Sequence, residues 1–422
     1  MQRHRLSPLS FGLIQAGVAG AFLTAWLLLP AERRADVQAA LPLVTAPLPQ
    51  VEIPRSVPLV VQPLYDDPEV VSDEELASVL RRIVPRFAQH NLRPNYIEHA
   101  LRAWGAHAEF QDPAALSGPQ MVDFLTDHGQ YLLSWGKNAE PLLLDRPEGV
   151  AIRWESGQDA SVHHDHWLAS LTEAGVPLSH AVFTPTRRDM TMNDALQEAM
   201  RDFHLDELEV EWSAMAFGLW IAPEHRWVTG DGREITFDLL ARRLMRGHCR
   251  FGVCSGTHRI YSLTLLLRLH QEYNILSQEV YDEVYAHLEQ MRDLIIVSQF
   301  PDGSWPPNWS AGRAAVTHPS SDPMYRTVIA TGHHLEWLAI APESLHPPRE
   351  QIRKAADWLI ERVRSREQAE IASQYTFYSH VGNALALWRN THPAPFWLKW
   401  EQAHPWQAGD DGERLPVAAP RL

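Results

Sequence analysis

The chain has 422 residues with 37 basic and 52 acidic side chains, and its net charge of −15 argues against a nucleic-acid protein, which presents a basic face. Hydrophobic residues make up 45% and charged residues 21%, enough for a sizeable core. Two cysteines exclude a disulfide scaffold.

Arg3 and Arg5 precede an uncharged run, Leu9 to Leu29, of 21 residues. As a helix it matches a hydrocarbon core of ~30 Å and exceeds the roughly 7–15-residue apolar core of a secretory signal. The expectation is a signal anchor over residues 1–35, a membrane partner, and a body outside the cytoplasm. A cleaved signal peptide is the alternative. Arg33 and Arg34 on the far flank oppose a simple orientation rule.

Residues 36–70 follow as a tether. Pro42, Pro47, Pro49, Pro54, Pro58, Pro63 and Pro68 fix φ and lack an amide donor, so this stretch is predicted to be extended.

Helical periodicity governs residues 71–390. Ser72 and Glu75 form a capping-box pattern ahead of Leu76, Val79, Leu80, Ile83 and Phe87. One-sided stripes recur over 119–133, 192–203, 236–246 and 280–295, and again after Pro347 and Pro348. Between them lie six segments richer in small and apolar residues, anchored at His99, His166, Trp212, His258, His333 and His380. The anchors are 67, 46, 46, 75 and 47 residues apart. A helical hairpin with its two loops takes about 45 residues. The two long intervals then carry inserted loops near 134–161 and 299–325. Gly149–Trp154 reads as a strand, so a small β-hairpin is expected in the first. Six alternations of this kind predict an all-α fold, an (α/α)6 toroid of six helical hairpins, with an open solenoid as the alternative. Residues 391–422 read as a C-terminal tail packed down by Trp397, Trp400 and Trp406.

This arrangement gathers His99, His164, His166, His258, His333 and His380 on one face. Imidazoles near helix N-termini have their basicity lowered and can act as bases. Glu98, Asp165, Glu209, Glu211, Asp322 and Glu336 are the carboxylates nearby. Glu336 follows His333 by three residues and shares its helix face, as an orienter shares the face of its base. The catalytic candidates are therefore His333, Glu336, His166, His258 and His380. Arg259 and Arg326 can hold an anion, Tyr325 and Tyr378 can donate protons, and His164 and Trp305 complete the substrate-binding set. Each of these also has a packing or capping role as its alternative.

The loop Gly247–His258 holds both cysteines. Cys249 and Cys254 either form a local disulfide, bind zinc with His258, or remain free thiols; the spacing is not that of a common zinc motif. No resident cofactor is expected, zinc being the exception.

Gly332-His333-His334-Leu335-Glu336-Trp337 resembles a stretch of the N-acylglucosamine and cellobiose 2-epimerase family. That resemblance implies an (α/α)6 barrel, and an acid/base role for His333 in moving a proton beside a sugar carbonyl. His164-Asp165-His166 is loosely similar to that family's His-x-His helix. Gln299-Phe-Pro-Asp-Gly303-Ser-Trp305 is similar to the QW motif of squalene–hopene cyclases and prenyltransferase toroids, which implies that Gln299 and Trp305 tie helix ends together. The Asp-rich catalytic motif of those cyclases is not found. Three functions remain open: a carbohydrate-active enzyme of epimerase, lyase or hydrolase type using these histidines, a toroid acting on an apolar lipid, or a non-catalytic binding scaffold.

Overall fold

A computed structural model of the chain describes residues 8–30, 33–34, 48–246 and 252–405. The fold is mostly helical, with seventeen α-helices and three two-stranded sheets among the described residues. The N-terminal run does fold as helix α1, Pro8–Leu28. Among the described residues no helix is long and apolar enough to cross a membrane. This overturns the expected anchoring through the N-terminal helix, on which the placement of the body outside the cytoplasm had rested.

The body begins with α2, Asp73–Ile83, closed by the expected capping box: the Glu75 amide donates to the Ser72 hydroxyl and the Ser72 amide donates back to the Glu75 carboxylate. Next come α3, Pro94–Trp104, α4, Gly118–Thr126, and α5, His128–Trp135. Strands β1, Leu143–Arg146, and β2, Gly149–Ile152, form the small antiparallel hairpin in the first insertion. Helix α6, His166–Glu173, precedes β3 and β4, Ala181–Val182 with Met190–Thr191, and α7, Met192–Asp202. Helix α8, Val210–Ile221, precedes β5 and β6, Arg226–Val228 with Glu234–Thr236, and α9, Phe237–Met245.

The second half runs through a 3-10 turn, Val253–Gly256, α10, Thr257–Tyr273, and the long α11, Gln278–Ser298. It continues with α12, Arg313–Thr317, α13, Met324–Ile340, α14, Arg349–Ser365, α15, Gln368–Ser373, α16, Tyr375–Leu387, and α17, Pro393–Ala403.

Two classes of helix follow from composition. Helices α2, α9 and α14 carry charge on one side and bury a single stripe, as amphipathic helices do. Helix α8 is apolar all round, and every one of its residues is buried. It belongs to a set of six, α3, α6, α8, α10, α13 and α16, in which each packs against the next along the chain and α16 packs against α3. Buried tryptophans tie this set to its surroundings. The Trp104 indole N–H donates to Ile83 O and Trp167 to Leu125 O, while within the set Trp388, at the end of α16, donates to Leu335 O on α13.

The proline-rich segment, described from residue 48, runs along the body. Its amides cap helix carbonyls left open at C-termini. Leu59 N donates to Leu219 O at the end of α8, Leu64 N to Ala339 O at the end of α13, and Asp67 N to Trp388 O after α16. The Tyr65 hydroxyl donates to Ala341 O at 2.8 Å. In the tail, Trp397 is buried, while Trp406 lies outside the described residues.

The loop resembling a QW motif makes specific bonds. The Gln299 amide donates to Gly303 O at 2.8 Å and to Gln351 O at 2.7 Å, and the Trp305 indole donates to Ile295 O at 2.9 Å. Together they join the end of α11 to the start of α14.

Candidate functional site

The six-helix set carries its chemistry inside. His333 and Glu336 lie one turn apart on α13, and both are fully buried. The His333 Nδ1–H donates to Glu336 Oε2 at 2.6 Å. Helix α16 answers with the same spacing: His380 Nδ1–H donates to Glu336 Oε1 at 3.1 Å, and the Asn383 amide donates to that oxygen at 2.9 Å. An ionised carboxylate only accepts, so each imidazole carries a proton on Nδ1; in a neutral ring Nε2 then presents a lone pair. Burial pushes the Glu336 carboxyl up, but His380 and His333 outweigh it and hold the group well below the usual carboxylate range. Burial pushes His380 down to about 3, His333 adding to the effect, so that ring is neutral. Glu336 thus accepts three donated hydrogen bonds, from His333, His380 and Asn383.

His258, from the first turn of α10, lies beside this pair, its ring 4.2 Å from that of His333 and 5.6 Å from that of His380, centroid to centroid. The His333 and His380 rings are 3.9 Å apart. Trp212 stands between His258 and His166, 4.3 Å from each ring. His99 closes the group at 4.6 Å from His166 and 5.2 Å from His380, its Nδ1–H donating to Asn95 O. Both nitrogens of His258, and Nε2 of His166, His333 and His380, have no hydrogen-bond partner among the described residues.

A carboxyl of the opposite character sits on the α3 side. Glu98 is fully buried, with Oε2 2.6 Å from His166 Nδ1. Burial pushes Glu98 up to about 8, a hydrogen bond with Ser161 opposing it, and burial pushes His166 well below its ordinary value. Both groups are neutral at pH 7, and that close approach is favourable when the carboxyl proton is shared with the ring. Arg102, from the same helix, is held charged by Glu173 against its own burial and lies 5.5 Å over the Trp212 ring.

Cys254 approaches from the 3-10 turn before α10. It and Ser255 have φ of 49° and 63°, followed by Gly256 at 81°, so three successive residues are left-handed. A Cβ on Gly252 would meet Arg259 Nε, Glu211 Oε1 and Gly256 Cα at 2.8, 3.0 and 3.0 Å, so the turn passes close against the Arg259–Glu211 pair. Cys254 carries a free thiol; its expected disulfide or zinc partner Cys249 lies outside the described residues.

The other sequence candidates lie elsewhere. Arg259 is buried and contacts Glu211 Oε1 at 3.3 Å and Arg246 O at 3.1 Å. Arg326 is exposed, 3.9 Å from Asp322. Tyr325 stacks on Phe377, and Tyr378 is buried in the core. Trp305 is fully buried within its loop. His164 faces Asp165 and Glu207 on the rim, beside a cavity of about 90 Å³ also lined by Trp154 and Glu198. Asn383 escaped the sequence reading; its signal was the three-residue spacing from His380, which repeats that of Glu336 from His333.

Among the described residues, three groups of side chains are close enough to hold a metal ion: Cys254 with His258 and His333, His333 with Glu336 and His380, and His164 with Asp165 and Glu207. Compared with protein-family models, curated proteins and solved structures, the chain matches none.

Proposed function

We propose that the chain is an (α/α)6 toroid whose centre abstracts a proton from a small, hydroxyl-rich substrate of carbohydrate type. The cyclic packing of α3, α6, α8, α10, α13 and α16 supports the toroid. One observation carries the chemistry: Glu336 accepts hydrogen bonds from Nδ1–H of both His333 and His380, which orients two Nε2 atoms, unpartnered among the described residues, side by side in a water-poor interior. Such a nitrogen, oriented by a carboxylate behind it, is the usual form of a histidine general base. The neutral Glu98 and His166 pair supplies a proton donor across the cluster.

The test is solvent exchange. The full chain is incubated in D2O with a panel of reducing and N-acylated sugars, and deuterium at carbon is read by NMR. Incorporation into at least one sugar, lost in His380→Asn and in Glu336→Gln, is the expected result. A wild-type chain that labels no sugar overturns the proposal.

A further inference from the structure

We infer that Cys254 Sγ, one ring nitrogen of His258 and His333 Nε2 form a binding site for one divalent transition-metal ion of the zinc class. One donor atom from each of the three side chains lies within 4.8 Å of the other two, and Nε2 is the nitrogen of His333 left free by its bond to Glu336. Ligand atoms around a tetrahedral zinc sit about 3.4–3.8 Å apart, given bonds of ~2.0–2.3 Å, so closing the set takes shifts of about an ångström or less. The donors are also unused. His258 is 1% exposed with both nitrogens unpartnered, and His333 is 0% exposed with Nε2 unpartnered.

The surroundings fit a metal more closely than a packing role. A ligating histidine has its other nitrogen held by a carboxylate, which fixes the tautomer and raises ligand basicity. Glu336 does this to His333 at 2.6 Å. A thiolate with two imidazoles is a soft donor set that favours zinc, cobalt or copper over magnesium or calcium. Three protein ligands leave a fourth position open, the pattern of catalytic zinc rather than of a structural site. His380, 3.9 Å from His333, then stands beside the metal as the proton-handling group, while His333 serves as ligand. The rim group of His164, Asp165 and Glu207 is the weaker candidate, because Asp165 already accepts from Ser213 at 2.6 Å and all three side chains are partly exposed.

The inference concerns the same cluster as the proton-abstraction reading, but its readout is metal, not turnover. The full chain, purified without a histidine tag, is dialysed against Zn2+ or Co2+ and then against buffer. We expect one zinc per chain, and for cobalt an intense visible spectrum with a near-ultraviolet thiolate charge-transfer band. Cys254→Ser should remove that band, and His258→Ala should release the metal. Glu336→Gln, a positioning change, should weaken binding ~10- to 100-fold. His164→Ala should leave one zinc bound. Modification of the thiol by a reagent, in a Cys249→Ser chain with the site intact, should slow at least tenfold with Zn2+ present, which needs no ligand variant to fold. A chain that retains no zinc, a Cys249–Cys254 disulfide in the purified protein, or a thiol rate indifferent to Zn2+ would each overturn the inference. Bound zinc without deuterium exchange would overturn only the catalytic reading.

Discussion

Glu98→Gln tests the electrostatics of the cluster most directly. Glu98 is fully buried beside a neutral imidazole, and burial, opposed by Ser161, raises its pKa from 4.5 to about 8. Between those values the folded chain keeps a proton that the unfolded chain has lost, so this group makes stability fall as pH rises through that window. The slope is about 1.4 kcal/mol per pH unit, or roughly 3 kcal/mol from pH 5 to pH 7. Glutamine keeps the volume and an N–H that can donate to His166 Nδ1, but it does not titrate. His166, lowered by burial, changes stability in the opposite sense as pH rises toward 6.5, and that contribution is common to both proteins. Urea unfolding of wild type and variant at pH 5, 6 and 7, in EDTA, gives two stability curves. The wild type should lose roughly 3 kcal/mol relative to the variant across that range. Parallel curves would show that Glu98 is ionised when folded, and would refute the assignment of a neutral pair.

Glu336→Gln should behave unlike Glu98→Gln, because it puts an N–H where two imidazole N–H groups and the Asn383 amide donate. A loss of about 2–4 kcal/mol is expected at pH 7, read by urea unfolding. Gln299→Ala removes bonds to Gly303 O and Gln351 O and should cost about 2 kcal/mol, read as a lower melting temperature. Gly303→Ala should cost at least ~3 kcal/mol, since φ is +97° and the added Cβ runs into the Lys354 carbonyl. Deleting residues 48–68 should lower the melting temperature and speed amide exchange at the ends of α8, α13 and α16, where Leu59, Leu64 and Asp67 now donate.

Much of the helical plan was legible because it is local. The capping box at Ser72 and the stripes of α2, α9, α11 and α14 need only neighbours in sequence. So does the pairing of His333 with Glu336, one turn apart. Contacts between helices were not legible. Glu98 meets His166 across two helices, and the three-residue spacing of His380 and Asn383 gains meaning only once α16 lies against α13. His164 and His166 look equivalent in sequence. Asp165 between them is left-handed at φ 56°, which turns His164 to the rim and leaves His166 inside. The proline spacing predicted extended backbone, but the docking donors are the residues between prolines, and which carbonyls they reach is a tertiary fact. The apolar run at the N-terminus was legible as a helix and misleading as a membrane span.

The centre of the molecule is a poor place to store histidines for stability alone. An unpaired buried polar group costs about 1–3 kcal/mol, against a total stability of roughly 5–15 kcal/mol for a folded domain. His166, His258, His333 and His380 all leave ring nitrogens without a partner among the described residues, within one cluster. Replacing such a polar group with apolar side chains of similar volume is often neutral or stabilising. The surrounding helices supply the apolar packing that tolerates the loss: α8, with Trp220, is buried at every residue, and Trp104, Trp167 and Trp337 are buried on other helices of the set. Cys254 adds left-handed backbone at the same place, a local strain that persists only where the rest of the structure fixes it. Unpartnered donors, a carboxylate orienting two of them and strained backbone delivering a thiol meet at one point. That coincidence argues for a site built to bind and react, with the helices around it built to hold it.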